Sequence, residues 1–260
     1  MLVLERRKAI TEVLNERGSV RVAELAVRFE VTEETIRRDL DQLEEEGRLQ
    51  RSHGGAVAVM ARDQETPYWF REITHEKEKA AIARCALRYV EEGDRIMLDA
   101  STTAWHIAKR IRDMDLTVVT NSIRVTVALS ELDKVTVISL GGQLAKRSLS
   151  YVGPHAEENM RGYHVNKLFF SCAGVDLERG LSDLTDEQAS IRRSMLNQAD
   201  RRILLVDHGK FGEKALSIIS GFDSIDEIVT DEQTSVETLA KFRETGVTVT
   251  VAQSREDGGE

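Results

Sequence analysis

The chain has 260 residues, 41% of them hydrophobic, which is enough for two domains that each bury a core. Its net charge of −9, from 45 acidic and 36 basic side chains, excludes a uniformly cationic nucleic-acid or membrane-surface protein. No apolar run approaches the ~18 residues that span a bilayer and the opening segment is charged, so a cytoplasmic protein with no membrane partner is expected.

Ile10, Val13 and Leu14 put an apolar stripe on an opening helix from Leu4 to about Arg17, which Gly18 stops. Val22, Leu25, Ala26 and Phe29 stripe a shorter second helix. Three residues, Glu30 to Thr32, separate it from a third, a spacing typical of a helix-turn-helix. Thr32 is the expected N-cap of that third helix. Ile36, Leu40 and Leu43 form its buried face, and Thr35, Arg37 and Arg38 lie on the opposite side near its start. Gly47 is expected to end it, and Arg48 to Gly55 reads as a short strand pair with a basic tip. A helix buried on one side and offering Thr and Arg on the other suits a DNA major groove.

Charge qualifies this reading. Residues 1–60 hold ten Lys or Arg and twelve Asp or Glu, a net of −2. The acids cluster at Glu44, Glu45 and Glu46, whereas Arg37, Arg38, Arg48 and Arg51 make a local positive stripe. Such a stripe neutralises phosphates, with weak nonspecific binding that salt suppresses strongly.

Periodicity lapses over residues 58–74. Pro67 disfavours helix at Thr66, and Tyr68, Trp69 and Phe70 form an aromatic cluster. This stretch is expected to be an interdomain linker between residues 1–57 and 75–260, anchored by its aromatics on the second domain or on a neighbouring subunit.

From Glu76 onward the pattern is regular. Strands are expected at Arg95 to Leu98, Leu116 to Val119, Lys134 to Leu140, Lys167 to Ser171, Arg202 to Val206, Glu227 to Thr230 and Val247 to Val251. Helices at Ala80 to Val90, Thr103 to Ile111, Ser122 to Leu132, Gly153 to Arg161, Asp186 to Ala199 and Ser235 to Thr245 separate most of them. Short apolar strands alternating with helices indicate an α/β domain with a mostly parallel sheet covered on both faces. Ligands on such sheets bind at the carboxyl ends of the strands.

Those ends are polar and small. The first runs Asp99-Ala100-Ser101-Thr102-Thr103 into a helix, a candidate phosphate site. The second ends in Thr120-Asn121-Ser122, the third in Gly141-Gly142, and the fourth in Ala173-Gly174-Val175-Asp176. The fifth brings Asp207, His208 and Lys210 together. Hydroxyls, an amide, glycines, carboxylates and a lysine together suit a polyhydroxylated anion. Cys85 and Cys172 fall on apolar stretches and read as buried thiols, neither disulfide nor metal pair. No metal, cofactor or catalytic residue is expected.

Thr35-Ile36-Arg37-Arg38-Asp39-Leu40 followed by Arg51-Ser52-His53-Gly54-Gly55-Ala56 closely resembles the signature of DeoR-type bacterial transcriptional repressors. These join a winged helix-turn-helix, a small α+β domain, to a sugar-phosphate sensor domain with a fold like that of ribose-5-phosphate isomerase. By that resemblance Thr32, Thr35, Arg37 and Arg38 serve operator DNA, and Arg51 and His53 sit in the wing. The second domain resembles the sensor over its whole length. The matching effector positions are Asp99, Ser101, Thr102, Thr103, Asn121, Gly141, Gly142, Gly174, Asp176, Glu187 and Lys210. Two departures bear on the pocket: the family usually has Gly where Ser101 stands and Ser where Gly209 stands.

The resemblance implies a homo-oligomeric regulator, a dimer or tetramer, binding double-stranded operator DNA and a phosphorylated sugar effector, in the usual sense a repressor of a sugar-utilisation operon. A sugar-phosphate isomerase with an accessory DNA-binding domain is the alternative. It would need carboxylates after the fourth strand to move a proton, where this chain has Ser171-Cys172-Ala173-Gly174-Val175. An architectural or activating DNA-binding protein without a ligand is the third reading, against which the polar strand ends speak.

Overall fold

The computed structural model describes residues 2–46, 48–52, 54–58 and 65–253. It divides into two compact units, Met1–Thr74 and His75–Glu260. Gly47, expected to end the third helix, and most of the first half of the expected linker, residues 59–64, lie outside the described residues.

The first unit runs α1 (Val3–Arg17), β1 (Ser19–Arg21), α2 (Val22–Phe29), α3 (Glu33–Glu45), β2 (Leu49–Ser52), β3 (Gly55–Ala58) and α4 (Tyr68–Ile73). Gly18 takes a left-handed conformation at φ 76° and its N–H closes α1 on Leu14 O, which is why the helix stops there. The stripes read from the sequence become one core: Ile10, Leu14, Ile36, Leu40 and Leu43 are fully buried. Asp39 is buried with them, because its two carboxylate oxygens take Arg6 and Arg7 of α1. That pairing fixes the roll of α3 and so decides which residues face out.

Two features go beyond the sequence expectation. β1, three residues with no alternation long enough to notice, pairs antiparallel with β3 and completes a sheet of order β1-β3-β2. Gly55 is required there, since a Cβ would come 2.1 Å from Val20 O. The aromatic stretch, where periodicity lapses in the sequence, carries the short helix α4, and Pro67 stands at its N-cap with a fixed, extended backbone. Trp69 meets the Phe70 ring edge-on with centroids 6.0 Å apart, and the Arg21 guanidinium lies 5.4 Å from its ring centroid.

The second unit continues α5 (Glu76–Ala86), β4 (Arg95–Leu98), α6 (Thr102–Ala108), β5 (Leu116–Thr120), α7 (Ile123–Leu129), β6 (Val135–Ser139), β7 (Gln143–Ala145), β8 (Ser150–Val152), α8 (Pro154–Arg161) and β9 (Val165–Phe170). It ends with β10 (Gly174–Asp176), β11 (Gly180–Asp183), α9 (Asp186–Leu196), β12 (Ala199–Leu205), β13 (Ser217–Ser220), β14 (Glu227–Asp231), α10 (Val236–Arg243) and β15 (Thr248–Ala252). Seven strands form one parallel sheet, β15-β14-β12-β9-β4-β5-β6. Ile96 and Leu98 of β4 join the core made with α5 and α6, and Met97 between them joins the core made with α8 and α9. Both faces of the strand are thus covered, which explains its unbroken apolar sequence.

Chain order reverses between β4 and β9. β5 and β6 lie to one side of β4, while β9, β12, β14 and β15 lie to the other. The crevice beyond the carboxyl ends of β4 and β9 is therefore the topological switch point, where open α/β sheets take ligands.

The expected fourth strand needs correction. It ends at Phe170, and Gly174–Asp176 is a separate strand in an antiparallel sheet, β10-β11-β13. The chain turns away because the Gly174 backbone packs onto Glu213, whose carbonyl oxygen would meet a Cβ at 2.3 Å.

Candidate functional site

On the first unit, α3 is two-sided. Thr32 caps it, its Oγ1 accepting the Thr35 N–H at 3.2 Å, and the Thr32 and Thr35 hydroxyls lie 2.9 Å apart on the surface. Arg37 pairs with Glu33, and Arg38 with Glu34 at 3.3 Å, both one turn back along the helix and in solvent. Exposed pairs of this kind stabilise by about 0.3–0.5 kcal/mol, so a phosphate displaces the carboxylates at little cost. Arg51 is placed differently. Its guanidinium donates to Asp41 at 2.8 Å and to Gly55 O at 2.6 Å, and its N–H donates to Glu44, so it ties the wing to the end of α3. His53 lies outside the described residues.

On the second unit, the candidate residues follow the carboxyl ends of four strands of the parallel sheet, β4, β5, β6 and β12. Asp99, 1% exposed, is fully engaged: Oδ1 accepts the Ser101 N–H, while Oδ2 accepts the Ser171 N–H and the Arg192 guanidinium at 3.0 Å. Arg192 also grips Asp183 at 2.5 Å. Burial works against the Arg192 charge, but Asp183 and Asp99 outweigh it and hold its pKa above the usual arginine value. Gln188 extends this network, accepting from Arg192 and donating to Ser148 and Ser150.

Ser101 caps the short α6 through Ala104 N–H, and Thr102 and Thr103 are buried beside it. Asn121 donates through Nδ2 to Tyr151 O at 3.0 Å, which seats the β7-β8 hairpin against the strand ends. Its Oδ1 is buried with no hydrogen-bond partner among the described residues. Gly141 and Gly142 turn the chain there at φ 64° and 116°. At Gly142 a Cβ would also meet the Ala156 Cβ at 2.9 Å. Lys210 closes the row, half-buried in the turn after β12.

Three of the sequence candidates have other surroundings. Gly174 serves backbone packing, and its carbonyl accepts from Cys172 and Ser182. Asp176 organises the β10-β11 turn, accepting the Glu178 and Arg179 N–H groups and facing Lys214 at 3.4 Å. Glu187 is exposed in the first turn of α9. Both cysteines are free and buried; burial, then Asp183, pushes the Cys172 thiol up to about 12, so it stays protonated.

Residues that sequence reasoning missed surround Asp207. This carboxylate is buried and accepts from His75 at 2.7 Å and from the Gly209 N–H. Burial would raise its pKa, yet the His75 hydrogen bond and the charges of Lys210 and Lys79 hold it well below the usual range. Lys79 is itself buried on α5. His75 is 132 residues away in the chain, so spacing gave no sign of it; Lys79 reads as one more charge on an exposed helix. His75, Asp207 and His208 are also the residues here that could hold a metal, their ligand atoms lying within 4.8 Å of one another.

Residues 6–62 match the model of the DeoR-like helix-turn-helix domain, and residues 74–232 match that of the DeoR C terminal sensor domain. The chain is 48% identical over 231 residues to YulB of Bacillus subtilis, named as an uncharacterised HTH-type transcriptional regulator, across 89% of this chain and 90% of that one. It is 35% identical over 239 residues to the transcriptional repressor AccR of Agrobacterium fabrum, across 90% and 93%. It is 33% identical over 230 residues to the L-fucose operon activator of Escherichia coli, across 88% and 95%. Ribose 5-phosphate isomerase A of Methanocaldococcus jannaschii overlaps 54% of this chain and 56% of its own at a TM-score of 0.40 and 18% identity, too partial to bear on chemistry.

Proposed function

The chain belongs to the DeoR family of transcriptional regulators, and on that premise we propose that it represses genes of sugar utilisation under control of a phosphorylated sugar. The winged helix-turn-helix takes operator DNA, with α3 in the major groove. Thr35, Arg37 and Arg38 contact it there, while Thr32 holds the start of the helix and Arg51 holds the wing. The effector occupies the switch point. Thr102, Thr103 and Lys210 take its phosphate side, Asn121 reads a hydroxyl, and the paired glycines admit it; Asp99 shapes the loop from behind. Two or four chains assemble through their second units so that two winged helices reach paired half-sites, in the cytoplasm where the operator is.

The observation that supports the sensor half most directly is the orphan Asn121 Oδ1. A buried acceptor without a partner is costly, and a sugar hydroxyl would satisfy it. Catalysis is not part of this reading. The carboxylates of Asp99 and Asp183 are both bound by Arg192, so neither is free to take a proton from a substrate carbon.

Separation of the two activities tests the proposal. In the full chain, Arg38→Ala should abolish binding to a DNA duplex enriched from a random pool while sugar phosphate still raises the melting temperature. Lys210→Ala should do the reverse. Loss of both activities in both variants, each well folded, would contradict it.

A further inference from the structure

Beyond the carboxyl end of β12, two imidazoles lie face to face. The ring centroids of His75 and His208 are 4.4 Å apart. Each Nδ1 is held by a carboxylate, His75 by Asp207 at 2.7 Å and His208 by Asp231 at 3.0 Å. The carboxylate side chains are 3% and 0% exposed, whereas the two histidine side chains are 37% and 25% exposed. In His208, Nδ1 is fixed on Asp231 and Nε2 is left as the atom with a lone pair to give; His75 Nδ1 and Asp207 Oδ1 face each other, and both would turn to an ion that replaced the proton between them. A carboxylate behind an imidazole, as Asp231 stands behind His208, is the arrangement that orients a metal-binding histidine and raises its basicity.

The backbone is shaped for this placement. His75 adopts a left-handed conformation at φ 50°, uncommon for a side chain of its size. A Cβ at residue 209 would come 2.8 Å from His75 Cε1, so glycine there lets the ring seat. Asp231 is locked by three bonds, from the His208 ring, the His208 N–H and the Gln233 N–H. Charge also fits: Asp207, Asp231 and Glu78 supply three negatives against two positives from Lys79 and Lys210, a net of −1 with neutral imidazoles.

We propose that His75, Asp207 and His208 form a site for a divalent transition-metal ion of the zinc class, with Asp231 as the positioning residue behind His208. Two nitrogens and one oxygen select Zn²⁺ and its neighbours over Mg²⁺ or Ca²⁺, which prefer all-oxygen shells. The site does not rest on the effector reading and would stand if that failed.

Untagged full-length protein, stripped with EDTA and titrated with ZnCl₂, MnCl₂ and MgCl₂, tests it by elemental analysis after desalting. One Zn²⁺ per chain should be retained, Mn²⁺ less firmly and Mg²⁺ not at all. His75→Asn and His208→Asn should each lose it, Asp231→Asn should weaken it about 10- to 100-fold, and His164→Asn, on the surface pair with Asp200, should keep it. Co²⁺ in the wild-type protein should give d–d bands without thiolate charge transfer, a readout that stands even if a variant unfolds. No retained zinc, thiolate bands, or retention unchanged in the two histidine variants would overturn the site.

Discussion

Arg37 and Arg38 spend the unbound state paired with Glu33 and Glu34. On the proposed reading they exchange onto phosphate and release counterions, so each would contribute to the salt dependence of DNA binding. Measured by fluorescence anisotropy across a salt series, Arg37→Ala should lower the slope of log K against log salt by about 1. An unchanged slope would mean the guanidinium never reaches the duplex. Histidine gives a second residue-scale test. His106 is 2% exposed, and burial, followed by Arg110, Lys109 and Lys79, lowers its pKa from 6.5 to about 4. The unfolded chain therefore binds a proton that the native state refuses between those values. Its linkage makes stability fall as pH drops from about 6.5 toward 4. His75 acts in the opposite sense, since the Asp207 hydrogen bond, against burial, raises its pKa, and that stabilisation fades as pH climbs through the raised value. Urea midpoints across pH should fall less steeply on the acid side for His106→Gln than for wild type.

At the scale of elements, the fold is held at its switch point by a buried ion triad. Arg192 of α9 joins Asp99 after β4 to Asp183 of β11, so three parts of the chain meet at one guanidinium. Removing one partner from a buried ion pair leaves an uncompensated charge and costs about 3–5 kcal/mol. Arg192→Met should lower stability by that amount in urea unfolding, well beyond the change for the neighbouring exposed Arg193→Met. The sequence shows the long elements because their period is physical: three-residue spacing before Thr32, stripes at Ile36 and Leu40, unbroken apolar runs in β4 and β9. It hides β1, β10 and β11, whose three or four residues are too few to alternate and whose pairing depends on Gly55, Gly174 and Gly180 meeting distant carbonyls. Arg192 is hidden for a similar reason, since Ile191-Arg192-Arg193-Ser194 reads as a solvated helix face. The strand-end loops were legible as polar ends of apolar runs. That Asp99 and Asp176 spend their oxygens on the protein itself was not, because a carboxylate's partners come from elsewhere in the chain.

The whole molecule consists of two units with separate cores, a small helical one with arginines on its third helix and one built on a parallel sheet with polar strand ends. Regulation requires that the effector bind one arrangement of the assembled chains better than another, by a free energy that DNA binding then reports. Ligand that binds only the folded second unit raises its melting temperature by mass action. The most direct measurement is therefore a titration of phosphorylated sugars onto the full chain bound to a duplex it selected from a random pool, followed by anisotropy. A phosphorylated sugar that releases the DNA from wild type, at a concentration that leaves Lys210→Ala bound, is the expected result. Release that is equal for wild type and Lys210→Ala, or no response to any phosphorylated sugar by a protein that binds its duplex tightly, would contradict it.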